Sequence, residues 1–417
     1  MAAALALDSF LTLLQKSRLL NDAQFAAALK QVRKVEATTA EQAAGALVTQ
    51  RVLTRYQANR LLEGRRRGLF IDDYKILEIL GCGGMGYMYR AEELQTDWEV
   101  AIKVLADRFR FDKGRLTRFQ LEAEAGLKLS HPNILRTRAI RRTEDIYGVI
   151  HYMVMELVKG VSLRELLEIR RRTLYWRQSC DVICQAATGL HYAHQMGLVH
   201  RDVKPENLLI RTDGAVKLLD FGLAMIGGSE AEYSLATILG QNCLGTADYI
   251  APEQSIDSLN VDCRADIYSL GCTFYFLVTG HVPFPAKSNT EKLDGHRNRR
   301  ARPVRELNPK VPERVAKIIQ KMMTKHPEHR FQTADEVREI LAPLARRKPI
   351  DFDFDGVLAQ RAALAERRLA SESILRGDSR TTTVGKVGIP VPGELKNPCA
   401  ETAVRNDALL EPRRKDA

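Results

Sequence analysis

The chain has 417 residues, a formal net charge of +11, 45% hydrophobic residues and 28% charged residues. These values are typical of a globular protein with two or three domains and ample core. They argue against a membrane-spanning protein, because no apolar run approaches the roughly 20 residues that cross a bilayer. The first residues lack a basic region and include Asp8, which argues against a signal peptide. Seven scattered cysteines without a CxxC pair predict a reducing cytoplasm and no cysteine metal site.

The positive charge occurs in separate basic runs, at residues 65–67, 297–302, 346–348 and 413–415. Nucleic-acid surfaces concentrate such charge and interleave it with aromatic side chains that stack on bases. Neither feature is present here. We interpret the runs as solvated surface and expect no nucleic-acid partner.

Residues 1–65 favour helix, because they are rich in Ala, Leu, Gln and Arg. They also contain an internal repeat: LQKSRLLNDAQF from Leu14 resembles LVTQRVLTRYQA from Leu47. Asn21 and Thr54 fall where each copy would cap its next helix. We expect two helical hairpins packed into a small bundle. This bundle is predicted to be an independent module for regulation or partner binding, followed by a linker.

Four glycines crowd into LGCGGMGYMYRA, residues 80–91: Gly81, Gly83, Gly84 and Gly86. Each costs about 0.5–1 kcal/mol relative to Ala in an ordered element, so something must approach this backbone closely. The pattern fits a dinucleotide-binding turn, a kinase phosphate loop or a plain hairpin. A dinucleotide turn passes from strand to helix, whereas YKILEIL before the glycines and YMYRAEE after them both alternate like strands. The flanks favour a hairpin, either a lid over phosphates or a structural turn.

The next strand-like segment, EVAIKVL, places Lys103 among apolar residues. Lysine is rarely buried without a partner, and Glu122 and Glu124 on the following helical segment both qualify. A paired lysine beside phosphates would direct its cation at them. The alternative is an edge-strand lysine whose ammonium extends to solvent.

Two later segments carry a set of polar side chains in a fixed order. VHRDVKPENLLI, residues 199–210, places Asp202, Lys204 and Asn207 on one loop, and VKLLDFGLA ends a strand at Asp220. Asn207 and Asp220 offer the hard oxygen ligands that Mg²⁺ prefers beside phosphates. Asp202 can accept a hydroxyl proton, and Lys204 can steady a moving phosphoryl group. Each residue alone could be turn chemistry, but the ordered set indicates phosphoryl transfer.

With these motifs, residues 72–343 resemble the eukaryotic-like, or Hanks-type, serine/threonine protein kinases, most closely in the bacterial style. The resemblance implies an α+β, two-lobed protein kinase fold. A small antiparallel β lobe with one helix (72–158) would join a larger helical lobe (159–343), with ATP and Mg²⁺ between them. It also implies an enzyme that phosphorylates Ser/Thr hydroxyls of proteins, including itself.

The resemblance also assigns roles to individual residues. Asp202 is the base, Lys204, Lys103 and Glu122 complete the catalytic set, and Asn207 and Asp220 hold the metal. Glu122 is preferred over Glu124 because it stands at the family's usual distance along the chain from the HPNI segment that follows. Met155 resembles the gatekeeper, Ala101 and Leu209 would enclose adenine, and Glu156 and Val158 would present backbone groups to it. The implied nucleotide-binding residues are Gly81, Gly83, Gly86, Met88, Ala101, Lys103, Met155, Glu156, Val158 and Leu209. Glu253 would pair with Arg330, and Asp266 would brace the catalytic loop.

Two further predictions concern regions outside this core. Arg201 would receive a phosphate from the activation segment, with Thr237 the first candidate for phosphorylation and Ser234 the second. Residues 346–417 are predicted to be a basic, largely disordered tail with one helix at 357–375. Two alternative functions stay open: a pseudokinase scaffold, and a phosphotransferase for small molecules.

Overall fold

The computed structural model describes residues 5–66, 68–145, 148–221, 225–226, 247–257 and 260–375. The chain forms two compact units, and the described residues divide between them at Arg65 and Arg66. Each unit is presented by itself below.

The N-terminal unit consists of helices α1 (Leu7–Ser17), α2 (Asp22–Lys34), α3 (Ala40–Thr49) and α4 (Arg55–Leu62). The predicted caps are present. The Asn21 side chain accepts a hydrogen bond from the Gln24 N–H, and Gln24 accepts one from the Asn21 N–H, which completes a capping box at α2. Thr54 and Gln57 form the same box at α4.

The internal repeat has a structural counterpart in backbone geometry. Arg18 and Arg51, which are equivalent in the two copies, adopt left-handed φ values of 60° and 57°. The equivalent Leu14 and Leu47 are fully buried. Each copy therefore ends one helix with a left-handed residue and begins the next at a capping box, which gives the two expected helical hairpins.

The small lobe of the second unit is a six-stranded antiparallel sheet of order β1-β2-β3-β4-β6-β5 with one long helix, α5 (Lys113–Lys128). The strands are β1 (Phe70–Ile71), β2 (Tyr74–Cys82), β3 (Gly86–Glu93), β4 (Glu99–Leu105), β5 (Thr137–Asp145) and β6 (Gly148–Glu156). Lys103 of β4 lies opposite Met88 on one side and Met153 on the other. This register places the lysine centrally in the sheet.

The large lobe is mainly helical. Its helices are α6 (Leu163–Arg170), α7 (Trp176–Gln195), α8 (Cys263–Thr279), α9 (Asn289–Asn298), α10 (Val304–Leu307), α11 (Glu313–Met322) and α12 (Ala334–Leu341). Two small sheets, β10-β9-β7 and β11-β8, comprise β7 (Gly160–Ser162), β8 (Leu198–Val199), β9 (Leu208–Arg211), β10 (Val216–Leu218) and β11 (Met225–Ile226). Helix α8 is buried along nearly its whole length and packs against α7 and α11. The predicted two-lobed fold is confirmed.

The region from residue 346 differs from the predicted disordered tail as far as the structure describes it. The Ile350 N–H donates to the Thr212 carbonyl at 2.7 Å, and the Ile350 side chain is buried in the core of the large lobe. Helix α13 (Phe354–Leu375) follows and packs on β2 and β7. The helix expected at 357–375 is present and begins three residues earlier, at Phe354. Residues 346–353 are held by apolar burial and these backbone contacts, where a disordered tail was expected. Residues 376–417 lie outside the described part of the chain.

Among the described residues, no helix combines the length and the apolar character needed to cross a membrane.

Candidate functional site

A cleft of about 590 Å³ contains most of the polar residues singled out from the sequence. Its lining includes the glycine hairpin, Lys103 and Glu122 of the small lobe, and Asp202, Lys204, Asn207 and Asp220 of the large lobe. The volume lies within the range of small-molecule sites, roughly 300–1,000 Å³. Both lobes therefore supply chemical groups to one cavity.

The glycine hairpin connects β2 to β3, and its glycines serve two different purposes. The Gly83 N–H donates to the Gly86 carbonyl at 2.8 Å and closes the turn. A Cβ atom on Gly86 would overlap the Val104 carbonyl of β4, so this glycine is required for strand packing. Nothing lies within 4 Å of a Cβ built on Gly81, Gly83 or Gly84, so these three leave the backbone open to the cleft.

Lys103 lies between two carboxylates. Its ammonium group pairs with Glu122, and its Nζ lies 3.4 Å from Asp220 Oδ1. Burial alone would lower the pKa of Lys103, but the charges of Asp220 and Glu122 outweigh it and raise the pKa. Glu122 is buried while Glu124 is exposed, so the structure selects Glu122 as the partner. A fully charged lysine is thereby held in the cleft.

The two carboxylates around Lys103 have pKa values shifted in opposite directions. Burial raises the pKa of Glu122 to about 7, even though Lys103 opposes the shift. Lys103 lowers the pKa of Asp220, which is half exposed. Asp220 is therefore ionised at neutral pH, whereas the charge of Glu122 changes in the physiological range.

The loop between β8 and β9 concentrates hydrogen bonds on one oxygen of Asp202. Lys204 Nζ donates to Asp202 Oδ2 at 2.7 Å, and Asn207 Nδ2 donates to the same oxygen at 3.1 Å and to the Asp202 carbonyl at 2.8 Å. The Leu219 N–H in turn donates to the Asn207 carbonyl at 2.9 Å, which connects this loop to Asp220. Among the residues that the structure describes, the hydrogen bonds to the Asp202 carboxylate all reach Oδ2, so Oδ1 is available to a group in the cleft.

Asp266 at the start of α8 holds this loop from behind. It accepts hydrogen bonds from the backbone N–H groups of His200 and Arg201 at 2.8 and 2.7 Å, and lies 2.8 Å from His194 Nε2. Burial would raise the pKa of Asp266, but the hydrogen bond to His194 and the positive charge of His194 outweigh burial and lower this pKa. Arg201 and Asp220 both adopt left-handed φ values, 65° and 53°. Such backbone strain persists only where the surroundings determine it, and it clusters at functional sites.

The residues expected around adenine lie on the small-lobe sheet and the segment after it. Ala101 faces Met155 across β4 and β6, and both are buried in an apolar cluster against which Met88 packs. Val158 and Leu209 are half-buried. The Glu156 side chain is occupied, because it accepts hydrogen bonds from Lys217 Nζ at 2.6 Å and from the Arg136 N–H at 2.8 Å. Contact of an adenine base with Met88, Ala101, Met155, Val158 and Leu209, and with the backbone of Glu156, stays a prediction.

The cleft also contains residues that the sequence analysis missed. Arg115 and Arg118 of α5, Glu165 of α6, and Arg361 and Leu364 of α13 all belong to its lining. The arginines of α5 stand one helical turn apart, a spacing that could have indicated a shared face. Nothing local in the sequence placed α13 at this cleft.

The candidate phosphorylation sites Thr237 and Ser234 lie outside the described residues. The implied pair of Glu253 and Arg330 is present within them. Its two hydrogen bonds measure 2.6 and 2.7 Å, and Arg330 is almost completely buried. This pair joins residues 247–257 to the rest of the large lobe.

The cleft, the paired lysine and the braced aspartate loop are features typical of a two-lobed phosphotransferase fold. Residues 74–341, more than half of the chain, match the family model for the protein kinase domain. The chain belongs to this family, as the sequence motifs predicted.

Several bacterial serine/threonine-protein kinases are similar to it. PrkC of Bacillus subtilis is 36% identical over 265 residues, which are 63% of this chain and 39% of PrkC. PknB of Mycobacterium tuberculosis is 34% identical over 281 residues, 67% of this chain and 44% of PknB. PknB of Mycolicibacterium smegmatis is 35% identical over 270 residues, with 64% and 42% covered. The chain thus spans less than half the length of these relatives.

Proposed function

We propose that this chain is a protein serine/threonine kinase that uses ATP and Mg²⁺. One observation carries the proposal: Lys103, Glu122, Asp202, Asn207 and Asp220 all line a single cleft between the two lobes. The names of PrkC and PknB support the same reaction and the same type of substrate.

The residues present fit both a nucleotide phosphate chain and a magnesium ion. Open backbone at Gly81, Gly83 and Gly84 and the charged Lys103 suit phosphate oxygens. Asp220 is an ionised carboxylate, and Asn207 uses its amide N–H group on Asp202, which leaves the amide oxygen for a metal. Two hard oxygen ligands with space for water are typical of a magnesium site. A bound magnesium ion would neutralise phosphate charge.

The chain's own residues account for the remaining chemistry. Lys204 and Asn207 hold Asp202 by one carboxylate oxygen, so the other can accept the proton of a serine or threonine hydroxyl. The hydroxyl oxygen then bonds to the γ-phosphorus as the bond to the β-phosphate oxygen breaks and ADP leaves. Lys103 and Lys204 balance the negative charge of the transferring group. Positioning and electrostatic stabilisation supply the rate enhancement.

Phosphate transfer by the purified full chain tests this proposal against its two alternatives. Labelled γ-phosphate from ATP should appear on a generic protein substrate and on the chain itself. A pseudokinase would bind nucleotide without transfer, and a small-molecule phosphotransferase would label a small alcohol but no protein. Asp202→Asn should lower the rate about 10²- to 10⁴-fold, since it removes the proton acceptor. Asp213→Asn, at an exposed turn residue, is the matched control. Equal rates for wild type and Asp202→Asn would overturn the role of Asp202.

Regulation belongs to the same proposal. We expect autophosphorylation at Thr237 or Ser234 to raise activity, because Arg201 precedes Asp202 and a phosphate on the activation segment can bond an arginine bidentately. Mass spectrometry should locate the phosphate, and the Thr237→Ala/Ser234→Ala double variant should turn over more slowly. Undiminished turnover in that variant would refute this part. The proposal has three further parts. The chain self-associates for autophosphorylation, it is located in the cytoplasm, and its N-terminal unit binds partners.

A further inference from the structure

Helix α13 contributes residues to the lining of the cleft and packs against both lobes. One stripe of the helix, with spacings of three and four residues, comprises Leu358, Arg361, Ala365 and Arg368. Leu358 and Ala365 of this stripe are buried, at 7% and 0% exposure. The helix packs on β2 of the small lobe and on β7 of the large lobe. It is therefore a built part of the kinase unit.

An ion pair fastens the helix to the large lobe. Arg361 Nε donates to Glu165 Oε1 at 2.7 Å, and a second guanidinium nitrogen donates to Oε2. Burial would raise the pKa of Glu165, but Arg361 and the Ser162 hydrogen bonds outweigh it and lower the pKa. Glu165 also forms the capping box of α6 with Ser162, which fixes its position. A bidentate pair on a preorganised carboxylate holds the helix at one orientation.

The same helix presents an apolar side chain to the cleft. Leu364 is 54% exposed and belongs to the cleft lining together with Arg361. Exposed leucines are common, but this one lines the same cavity as Lys103, Asp202 and Asp220. The cavity retains about 590 Å³ with the helix in place, enough for a small molecule. The helix therefore forms a wall of the cleft without filling it.

From this geometry we propose that α13 completes the nucleotide site: Leu364 packs on the base and sugar of bound ATP, and Arg361 is a positioning residue that holds the helix there through Glu165. This rests on the proposed function, because the occupant is the kinase nucleotide. The charged groups of the cleft suit the phosphates, whereas an apolar leucine suits the uncharged end of the nucleotide.

Calorimetric titration of the full chain, rather than turnover alone, tests the proposal. The probes are a non-hydrolysable ATP analogue with Mg²⁺, adenosine, and inorganic tripolyphosphate. Leu364→Ala should weaken binding of the analogue and of adenosine about fourfold, since losing a contact equivalent to one buried methylene costs about 0.8 kcal/mol and 1.4 kcal/mol is tenfold. Binding of tripolyphosphate should not change, because it lacks a base. In kinetics, KM for ATP should rise and kcat should stay nearly constant.

The ion pair is tested by Arg361→Ala and Glu165→Gln. Glutamine retains the capping role of Glu165 but removes its charge. A loss of affinity in this variant therefore reports on the ion pair between Arg361 and Glu165. Both variants should weaken binding of the analogue, and Arg361→Lys should recover part of it. Gln360→Ala, an exposed neighbour on α13 outside the cleft lining, is the control and should leave binding unchanged.

The outcomes separate this proposal from the function on which it rests. If the wild-type chain binds no nucleotide, the proposed function fails. If the wild type binds and Leu364→Ala binds equally well, α13 is not part of the site. Tighter binding by Arg361→Ala would also overturn the proposal, since it would mean that the helix obstructs the cleft. A uniform loss for all three probes in Leu364→Ala would indicate general distortion, and would likewise refute a contact with the base.

Discussion

The two units differ in what they bury. In the described part of the N-terminal unit the buried polar residues are Ser17 and Gln57, and neither is charged. The kinase unit buries Arg110, Glu122, Arg201, Asp266 and Arg330 among its described residues. Buried charge is costly unless it is paired, so a fold has little reason to keep it for stability alone. The comparison indicates that the described N-terminal unit is held by apolar packing, whereas the kinase unit also uses paired buried charge, of which Glu122 lines the cleft.

Left-handed backbone shows the same contrast. Arg18 and Arg51 adopt it at helix ends in the N-terminal unit, where it turns the chain between helices. In the kinase unit, Arg201 and Asp220 adopt it beside the cleft. This geometry also occurs away from the cleft lining in the kinase unit, at Asp72, Asp97 and Arg171, but among the described residues only the kinase unit additionally places it beside the polar groups of a cleft.

The largest expected effect on stability comes from the buried ion pair of the kinase unit. Arg330→Met should lower the free energy of unfolding by about 3–5 kcal/mol, because it leaves Glu253 unpaired and removes bonds to the Thr324 and Arg264 carbonyls. Chemical denaturation of the full chain measures this. Arg211→Met, which breaks the exposed pair with Asp213, should cost at most about 1 kcal/mol. Equal costs for the two variants would contradict the contrast between buried and surface charge.

Activity is expected to depend on the charge of Glu122. Its pKa is raised to about 7, so it takes up a proton as the pH falls through that value and loses its ion pair with Lys103. Values of kcat/KM for ATP should therefore fall up to about tenfold per pH unit below this point. ATP itself titrates nearby, and Glu122→Gln separates the two contributions. Glu122→Gln should retain only the pH dependence that is due to ATP. A pH profile of kcat/KM identical to that of the wild type would show that Glu122 does not cause the fall.

Smaller effects are expected in the N-terminal unit. Asn21→Ala and Thr54→Ala should each lower its stability by about 1 kcal/mol, because each removes one side of a capping box. Nucleotide affinity should not change. Thermal unfolding and nucleotide titration check both statements. Lys30→Ala, at an exposed position within α2, should stay within about 0.5 kcal/mol of the wild type. A cap variant that weakens nucleotide binding would show that the units are coupled.

The smallest expected effect is that of removing the N-terminal unit altogether. A chain beginning at Arg66 should fold and bind nucleotide with unchanged affinity, since residues 66–375 contain the described cleft lining. Calorimetry against the full chain provides the measurement. Loss of nucleotide binding on this truncation would make the helical bundle part of the catalytic core.

Much of the site could be predicted because its signals are local. Glycine spacing, the strand around Lys103 and the order of Asp202, Asn207 and Asp220 are readable from a few neighbouring residues each. Other features could not be read this way. The group that approaches Gly86 most closely is the backbone of β4. The glycine pattern shows that something approaches this residue, but it does not show whether that group is a neighbouring strand or a phosphate. The packing of residues 346–375 against the two lobes depends on tertiary burial, which composition does not reveal.

The sequence by itself determined the class of fold and the two helical hairpins, and it singled out polar residues that line the cleft. Capping boxes and alternating strands act over three or four residues, so their information is present locally. The family resemblance already favoured Glu122 over Glu124, and tertiary structure brings Glu122 to Lys103. Tertiary structure alone decided that Arg361 meets Glu165 across 196 residues of chain. Both pairings depend on how complete elements pack, and packing is a property of the whole fold rather than of any one segment.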